Sequence, residues 1–254
     1  MSETKSFVSI VVAAILAGAL LGSCWILAGA LVKVKSDRDM IRVTGSARKP
    51  IRSDLIIWRG RIALRAPDLS RAYLDLKTGI DKARAYLVAH SITENEMTVS
   101  AIETRTLYAK PPRTPYDQSQ DTPDTFRQIE GYELSEDIEV RSTRVDLVGD
   151  VSRKSTELIS QGVHFESQPP QYVYTKLSDM KVTMLAQAAK DARSRADQIA
   201  NNSGCRVGSV RFARMGVLQI TPIYSTAVSS EGINDTSSLD KDITAIVTMG
   251  FSIR

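Results

Sequence analysis

The stretch Ser178–Gly204, SDMKVTMLAQAAKDARSRADQIANNSG, constrains this chain most tightly. Its apolar residues Val182, Leu185, Ala189, Ala192, Ala196 and Ile199 recur at spacings of three and four. That periodicity predicts one apolar face on an α-helix. Ser178 and Asp179 suit the start, because a side-chain oxygen can accept an orphan N–H and the acid complements the helix dipole. Gly204 suits the stop, since glycine takes the left-handed position past a helix end without cost. Lys190, Asp191, Arg193, Arg195 and Asp197 sit on the other side and are expected in water. A long helix with a small-residue stripe reads as the lid of a sheet, so the rest of the chain is expected to supply that sheet.

Strands and helices follow from the same reasoning. Ile41–Gly45 and Ser53–Ala66 read as strands, the second carrying Leu55, Ile57, Arg59 and Arg61 on one face and Ile56, Trp58, Ile62 and Leu64 near the other, with a bulge at Gly60. A second striped helix follows Pro67-Asp68, using Leu69, Tyr73, Leu76, Ile80, Ala83 and Leu87, and ending near His90-Ser91. Glu96–Tyr108 and Gln128–Arg141 read as strands on either side of a proline-bearing excursion, Ala109–Phe126. Thr143 and Asp146 resemble a capping box, opening a third helix with Leu147, Val148, Val151, Leu158 and Ile159 on its apolar face and Gly162 at its end. Val163–Thr175 is a strand region broken at Pro169-Pro170. After the opening helix come a strand near Arg206–Leu218, a Ser/Gly-rich loop at Ser225–Asp240, and a final alternating strand, Ile243–Ile253. Adjacent strand pairs separated by helices predict an α+β fold. The expectation is a mainly antiparallel sheet of about seven strands with helices packed on one side, preceded by one transmembrane helix.

That last element comes from Phe7–Val32, 26 residues without a charge. As a helix it would extend roughly 39 Å, beyond a ~30 Å hydrocarbon core. Three readings stand: an uncleaved signal-anchor helix over residues 1–35, cleavage after Ala28-Gly29-Ala30, or lipidation of Cys24 in Leu21-Gly22-Ser23-Cys24. The first fits the length best and implies a bilayer partner through Phe7–Val32. Lys33, Lys35 and Arg38 follow the run, and the positive-inside rule taken alone places the remaining chain in the cytoplasm.

Composition narrows the chemistry. The 33 Lys and Arg face 29 Asp and Glu and form no basic block with interleaved aromatics, so nucleic acid is not an expected partner. Two cysteines, Cys24 and Cys205, are too few for a disulfide framework or a zinc site. Of two histidines, His90 sits at a helix end as a structural cap, and His164 alternates with Glu166 on a strand without enough neighbours to hold a metal. Cys205 follows a helix end and not a helix start, and reads as a buried small hydrophobe. Trp58 reads as core or interface packing, and Arg59 and Arg61 as a wet sheet face or a subunit contact. No catalytic, cofactor-binding or metal-ligating residue is assigned, and no enzyme activity is expected.

The order IRVTGSA, a strand, and a long amphipathic helix resembles the SIMPL family of bacterial envelope proteins. So do IEGYELSEDIEVRSTRVDLVGDVSRKSTELISQGV and MLAQAAKDARSRADQIANNSGCRVGSV. The resemblance covers about Ile41–Arg254, within a domain spanning 40–254, and rests most on Gly131-Tyr132, Val145-Asp146-Leu147, Gly162, Gly204 and Gly208. At His90-Ser91 the family tends to have a helix-ending glycine; histidine can take the same left-handed conformation. The resemblance implies an exported α+β domain that oligomerises, anchored in the inner membrane by one span with its soluble part in the periplasm. It implies no agreed enzymatic activity and a loose link to envelope or oxidative stress. The alternative is a ligand-binding module with a pocket between the Ala-rich helix and the sheet, its small-molecule ligand unknown.

Overall fold

The computed structural model describes residues 18–19, 22–25, 40–109 and 128–254. In chain order the elements are β1 Met40–Arg52, β2 Leu55–Ala66, α1 Leu69–Ala89, a 3-10 turn Glu94–Glu96, β3 Met97–Val99, β4 Glu103–Tyr108, β5 Ile129–Ser142, α2 Val145–Lys154, α3 Glu157–Ser160, β6 Phe165–Ser167, β7 Gln171–Val173, α4 Leu177–Asn202, β8 Val207–Met215, β9 Gln219–Pro222, β10 Ile233–Asn234 and β11 Asp240–Ile253. The fold is mixed α+β, but the single sheet of about seven strands divides into two. One has five strands, in the order β1-β11-β9-β10 with β8 also on β11. The other has six, in the order β3-β5-β2-β6 with β4 on β5 and β7 on β2. The expected antiparallel pairing holds for the registered partners of β2, β5 and β8, while β9 and β10 run parallel. Turns also break the longer expected strands, although the pieces stay within one sheet, β3 and β4 both on β5 and β8 and β9 both on β11. Glu96–Tyr108 separates into β3 and β4 at Ser100–Ile102, and Arg206–Leu218 gives way to β9 at Gln219.

Phe7–Val32 lies mostly outside the described residues, as does the excursion from residue 110 to 126. Among the described residues no helix is long and apolar enough to cross a membrane.

By contacts the chain forms two compact units, divided within β1 after Arg48 and within β11 after Ile243. The first takes Asp179–Leu218 and Thr244–Arg254 together with the chain up to Arg48. Here α4 turns a different face inward from the one its spacing predicts. Met184, Ala188, Ala192, Ala196 and Ala200 are buried, while Val182 and Ile199 are 71% and 49% exposed and Leu185 is half-buried. Only Ala192 and Ala196 of the expected stripe are buried. The cause is at Gly45, where an added Cβ would overlap the backbone of Ala188 and Ala192 and lie 2.7 Å from the Ala192 Cα. Backbone-to-backbone contact demands the smallest side chains, so the four-residue alanine ridge seats on β1 and the larger aliphatics flank it. Gly204 has φ +74° and ends the helix as expected. On β11, Ile243, Ala245, Val247, Met249 and Phe251 are buried, as alternation predicts; Ile253 is partly exposed.

The second unit, Lys49–Ser178 with Gln219–Ile243, holds the six-stranded sheet. The core packs α1 and α2 against one face of β2 and β5, through Ile56, Trp58, Ile62, Leu76, Leu87, Leu134, Ile138, Val140 and Val148. Of the α1 stripe, Leu76, Ile80, Ala83 and Leu87 are buried as expected, joined by Ala72 and Tyr86, while Leu69 and Tyr73 in its first turns are 43% and 46% exposed. The third expected helix is two, α2 and α3, with Ile159 exposed. Arg144 caps α2 and no side chain closes its N-terminus, so the Thr143–Asp146 capping box does not form; Asp146 instead pairs with Arg52 at 2.5 Å. No bulge occurs at Gly60, whose register with Ile138 is continuous. The glycine clears space for the Phe165 ring, onto which Trp58 also packs with ring centres 6.0 Å apart. His90 caps α1 with φ −92°; the left-handed residue is Ser91, at φ 67°.

Candidate functional site

The open face of the six-stranded sheet carries a row of paired charges. Alternation sends Arg59, Arg61 and Arg65 of β2 away from the core that holds Trp58 and Ile62. Directly opposite on β5 stand Glu139, Asp137 and Glu133. Each arginine meets the acid across from it: Arg59 with Glu139 at 2.7 Å, Arg61 with Asp137 through two bonds of 2.7 and 3.2 Å, and Arg65 with Glu133. Arg141 adds a second contact to Glu139 at 3.2 Å. On the flanks, Glu166 of β6 stands opposite Arg61 and Arg105 of β4 opposite Glu133. The bond from Arg61 to Asp137, and the fields of Asp137, Glu103 and Glu166, raise the guanidinium pKa despite some desolvation. Arg59 and Arg61 therefore form a wet face with internal partners.

A cavity of ≈ 520 Å³ opens on this face, lined by Arg61, Arg65, Glu133, Ser135, His164 and Glu166 among others. His164 is exposed and also borders a ≈ 250 Å³ cleft beneath α1. Charges of both signs meet there, two arginines with two glutamates, and both arginines are already in ion pairs, so the cavity presents hydrogen-bonding variety and no surplus field. A third hollow is apolar: Leu69, Tyr73, Leu74, Ile102 and Leu134 line ≈ 530 Å³ between α1 and β4, with Ser70 and Thr104 at its rim. Cys205 is half-buried, its thiol 3.7 Å from the Ser203 carbonyl. The His90 Nδ1 lies 2.8 Å from the Tyr86 carbonyl and its ring stacks on Tyr86 at 4.1 Å, a structural pairing. Among the described residues no group of three or more His, Cys, Asp or Glu is placed to hold a metal ion.

Three ionisable groups escaped the sequence reading. Glu96 is desolvated, yet hydrogen bonds from Arg144, Ser142 and Thr93 outweigh that penalty and lower its pKa to about 2. Glu136 lies on the core side of β5 between Leu134 and Ile138, where desolvation, and then Asp81, raise its pKa. Lys241 is buried in β11 and donates to the carbonyls of Tyr172, at 2.6 Å, and Asp235. Burial pushes its pKa down, opposed by Asp235. Alternation could have revealed the last two, since Glu136 is in phase with Leu134 and Ile138, and Lys241 with Ile243.

Comparison with curated proteins finds no match. The profile of SIMPL, a protein family of unknown function, matches residues 41–251, nearly all of the chain beyond the apolar run. The chain belongs to the SIMPL family.

Proposed function

We propose that this protein is a non-enzymatic, membrane-tethered assembly module of the bacterial envelope, held in the inner membrane by Phe7–Val32 with its folded part in the periplasm. The tether rests on the 26-residue uncharged run. Self-association rests on one observation: the free edge of β4 beside exposed apolar side chains. Among the described residues β4 pairs only with β5. Next to it Leu69, Tyr73, Leu74 and Ile102 are 43%, 46%, 58% and 37% exposed. Unpaired strand edges flanked by apolar surface recruit another strand. Two β4 edges set antiparallel about Thr104 bring Glu103 of each copy opposite Arg105 of the other, a complementary pairing. A part in envelope or oxidative stress is carried by the family resemblance alone.

Light scattering on the detergent-solubilised protein tests the assembly. Wild type should be oligomeric and Thr104→Pro with Leu74→Glu monomeric; a monomeric wild type overturns the assembly reading. Protease added to spheroplasts tests the topology, and protection of the domain from external protease reverses the orientation. A ligand-binding role is the second reading. The ≈ 530 Å³ apolar hollow under Tyr73 favours it over a site beneath the Ala-rich helix, where Gly45 and the alanine ridge are in contact.

A further inference from the structure

The first unit is strongly polarised. Its described residues include ten Lys and Arg and three Asp, with no Glu. All three Asp lie on α4; the portions of β1, β8 and β11 in this unit hold no acidic side chain. Two of the three are engaged close by, Asp191 with Arg195 at 2.8 Å and Asp197 with Arg193 at 3.2 Å.

The sheet sorts its side chains by face. Gly45 marks the face beneath α4. Thr44 faces the other way, its hydroxyl 3.3 Å from that of Thr248. Arg214 stands opposite Thr248 and Phe212 opposite Gly250, so both share the open face. The Arg42 guanidinium lies 5.0 Å from the centre of the Phe212 ring. Arg42, Thr44, Ser46, Arg48 and Arg214 are all exposed. The open face is thus a cationic, hydroxyl-bearing surface around one aromatic ring. Phe212 orders Arg42 through its π face and leaves the guanidinium N–H groups available to an acceptor.

We infer that this face docks on anionic phospholipid headgroups. The inference rests on the tether proposed above. Residues 33–39 separate the apolar run from Met40, a reach of about 25 Å when extended. That short link carries Lys33, Lys35 and Arg38, and β1 brings Arg42 four residues after Arg38. The strand that opens the cationic face is therefore also the strand nearest the bilayer along the chain. Phosphate oxygens accept from Arg42 and Arg214, and the threonine and serine hydroxyls donate to phosphate and glycerol oxygens. Attraction of this kind falls off within a Debye length, so the short link makes it effective.

The full-length protein in nanodiscs tests this by hydrogen exchange across β1 and β8, in phosphatidylcholine discs and in discs containing phosphatidylglycerol. Exchange should slow in the anionic discs alone, and the protection should disappear at high salt. Arg42→Gln with Arg214→Gln should lower the docked-to-undocked ratio about thirtyfold, while Arg42→Lys with Arg214→Lys should retain most of the protection. Equal exchange in both discs, or protection unchanged in the double Gln variant, overturns the inference. Protection that appears only on adding RNA also overturns it and assigns the face to nucleic acid. A protein that does not enter discs refutes the tether instead; cosedimentation of that protein with phosphatidylglycerol vesicles, absent with phosphatidylcholine, then decides the face alone, and failure to sediment overturns it.

Discussion

Glu96→Gln removes one negative charge from a carboxylate that accepts five hydrogen bonds and ties the turn after α1 to the end of β5 and the start of α2. Arg144 supplies two of those bonds, and the hydroxyls of Ser142 and Thr93 and the Thr93 amide supply the others. The fall from an ordinary value of 4.5 to about 2 corresponds to at most ~3 kcal/mol of stability. The Arg144 side chain is 41% exposed and that of Glu96 18%, so solvent screening reduces this to about 1–2 kcal/mol at pH 7. The folded pKa lies below the unfolded one. The stabilisation is therefore present in full above about pH 5 and is lost as pH falls towards 2. Urea unfolding of the two proteins between pH 7 and pH 2.5 should show curves well separated at neutral pH that converge in acid. A gap of constant size across that range, or none at pH 7, refutes the assignment of Glu96 as an ionised hub.

Other perturbations give sharper or opposite results. Gly45→Val forces a side chain into the backbone of Ala188 and Ala192 and should cost about 3 kcal/mol or more, read as a lowered unfolding midpoint. Leu76→Ala opens a hole under α1, where Leu76 is fully buried, and should cost ~2–5 kcal/mol in the same assay. Glu136→Gln should raise the melting temperature at pH 7. Desolvation and Asp81 raise the folded pKa, so the wild-type carboxylate gains stability as pH falls through that value, and the variant should lack that rise.

Much of the architecture was legible because alternation and helical spacing are local. Strand β11, the inward face of β2 and the glycine stops at Gly162 and Gly204 follow directly from their residues. The rotation of α4 did not, because two faces of that helix are apolar and the choice between them is made by Gly45, far away in sequence. The division into two sheets was equally hidden, since pairing partners are a property of the whole chain. At the candidate site, Arg59 and Arg61 could be placed on a wet face, but their acidic partners could not. Naming Glu139 and Asp137 requires the register between β2 and β5, and that register is non-local. Lys241 lies two residues before the alternating apolar run that marks the final strand, and a lysine gives no apolar signal of burial.

The ionic rungs between β2 and β5 also act as a vernier. A two-residue slip of these strands leaves every apolar side chain on its proper side, so hydrophobic burial distinguishes such frames only weakly. In the native frame three arginines meet three acids. Slip one way and Arg59 faces Asp137 while Arg61 faces Ser135 and Arg65 faces Gly131; slip the other way and Arg59 collides with Arg141. Each misalignment forfeits two rungs, worth about 0.4–2 kcal/mol together. Charges that add little to the depth of the native basin thereby decide which of several equally greasy alignments the hairpin-less pair adopts.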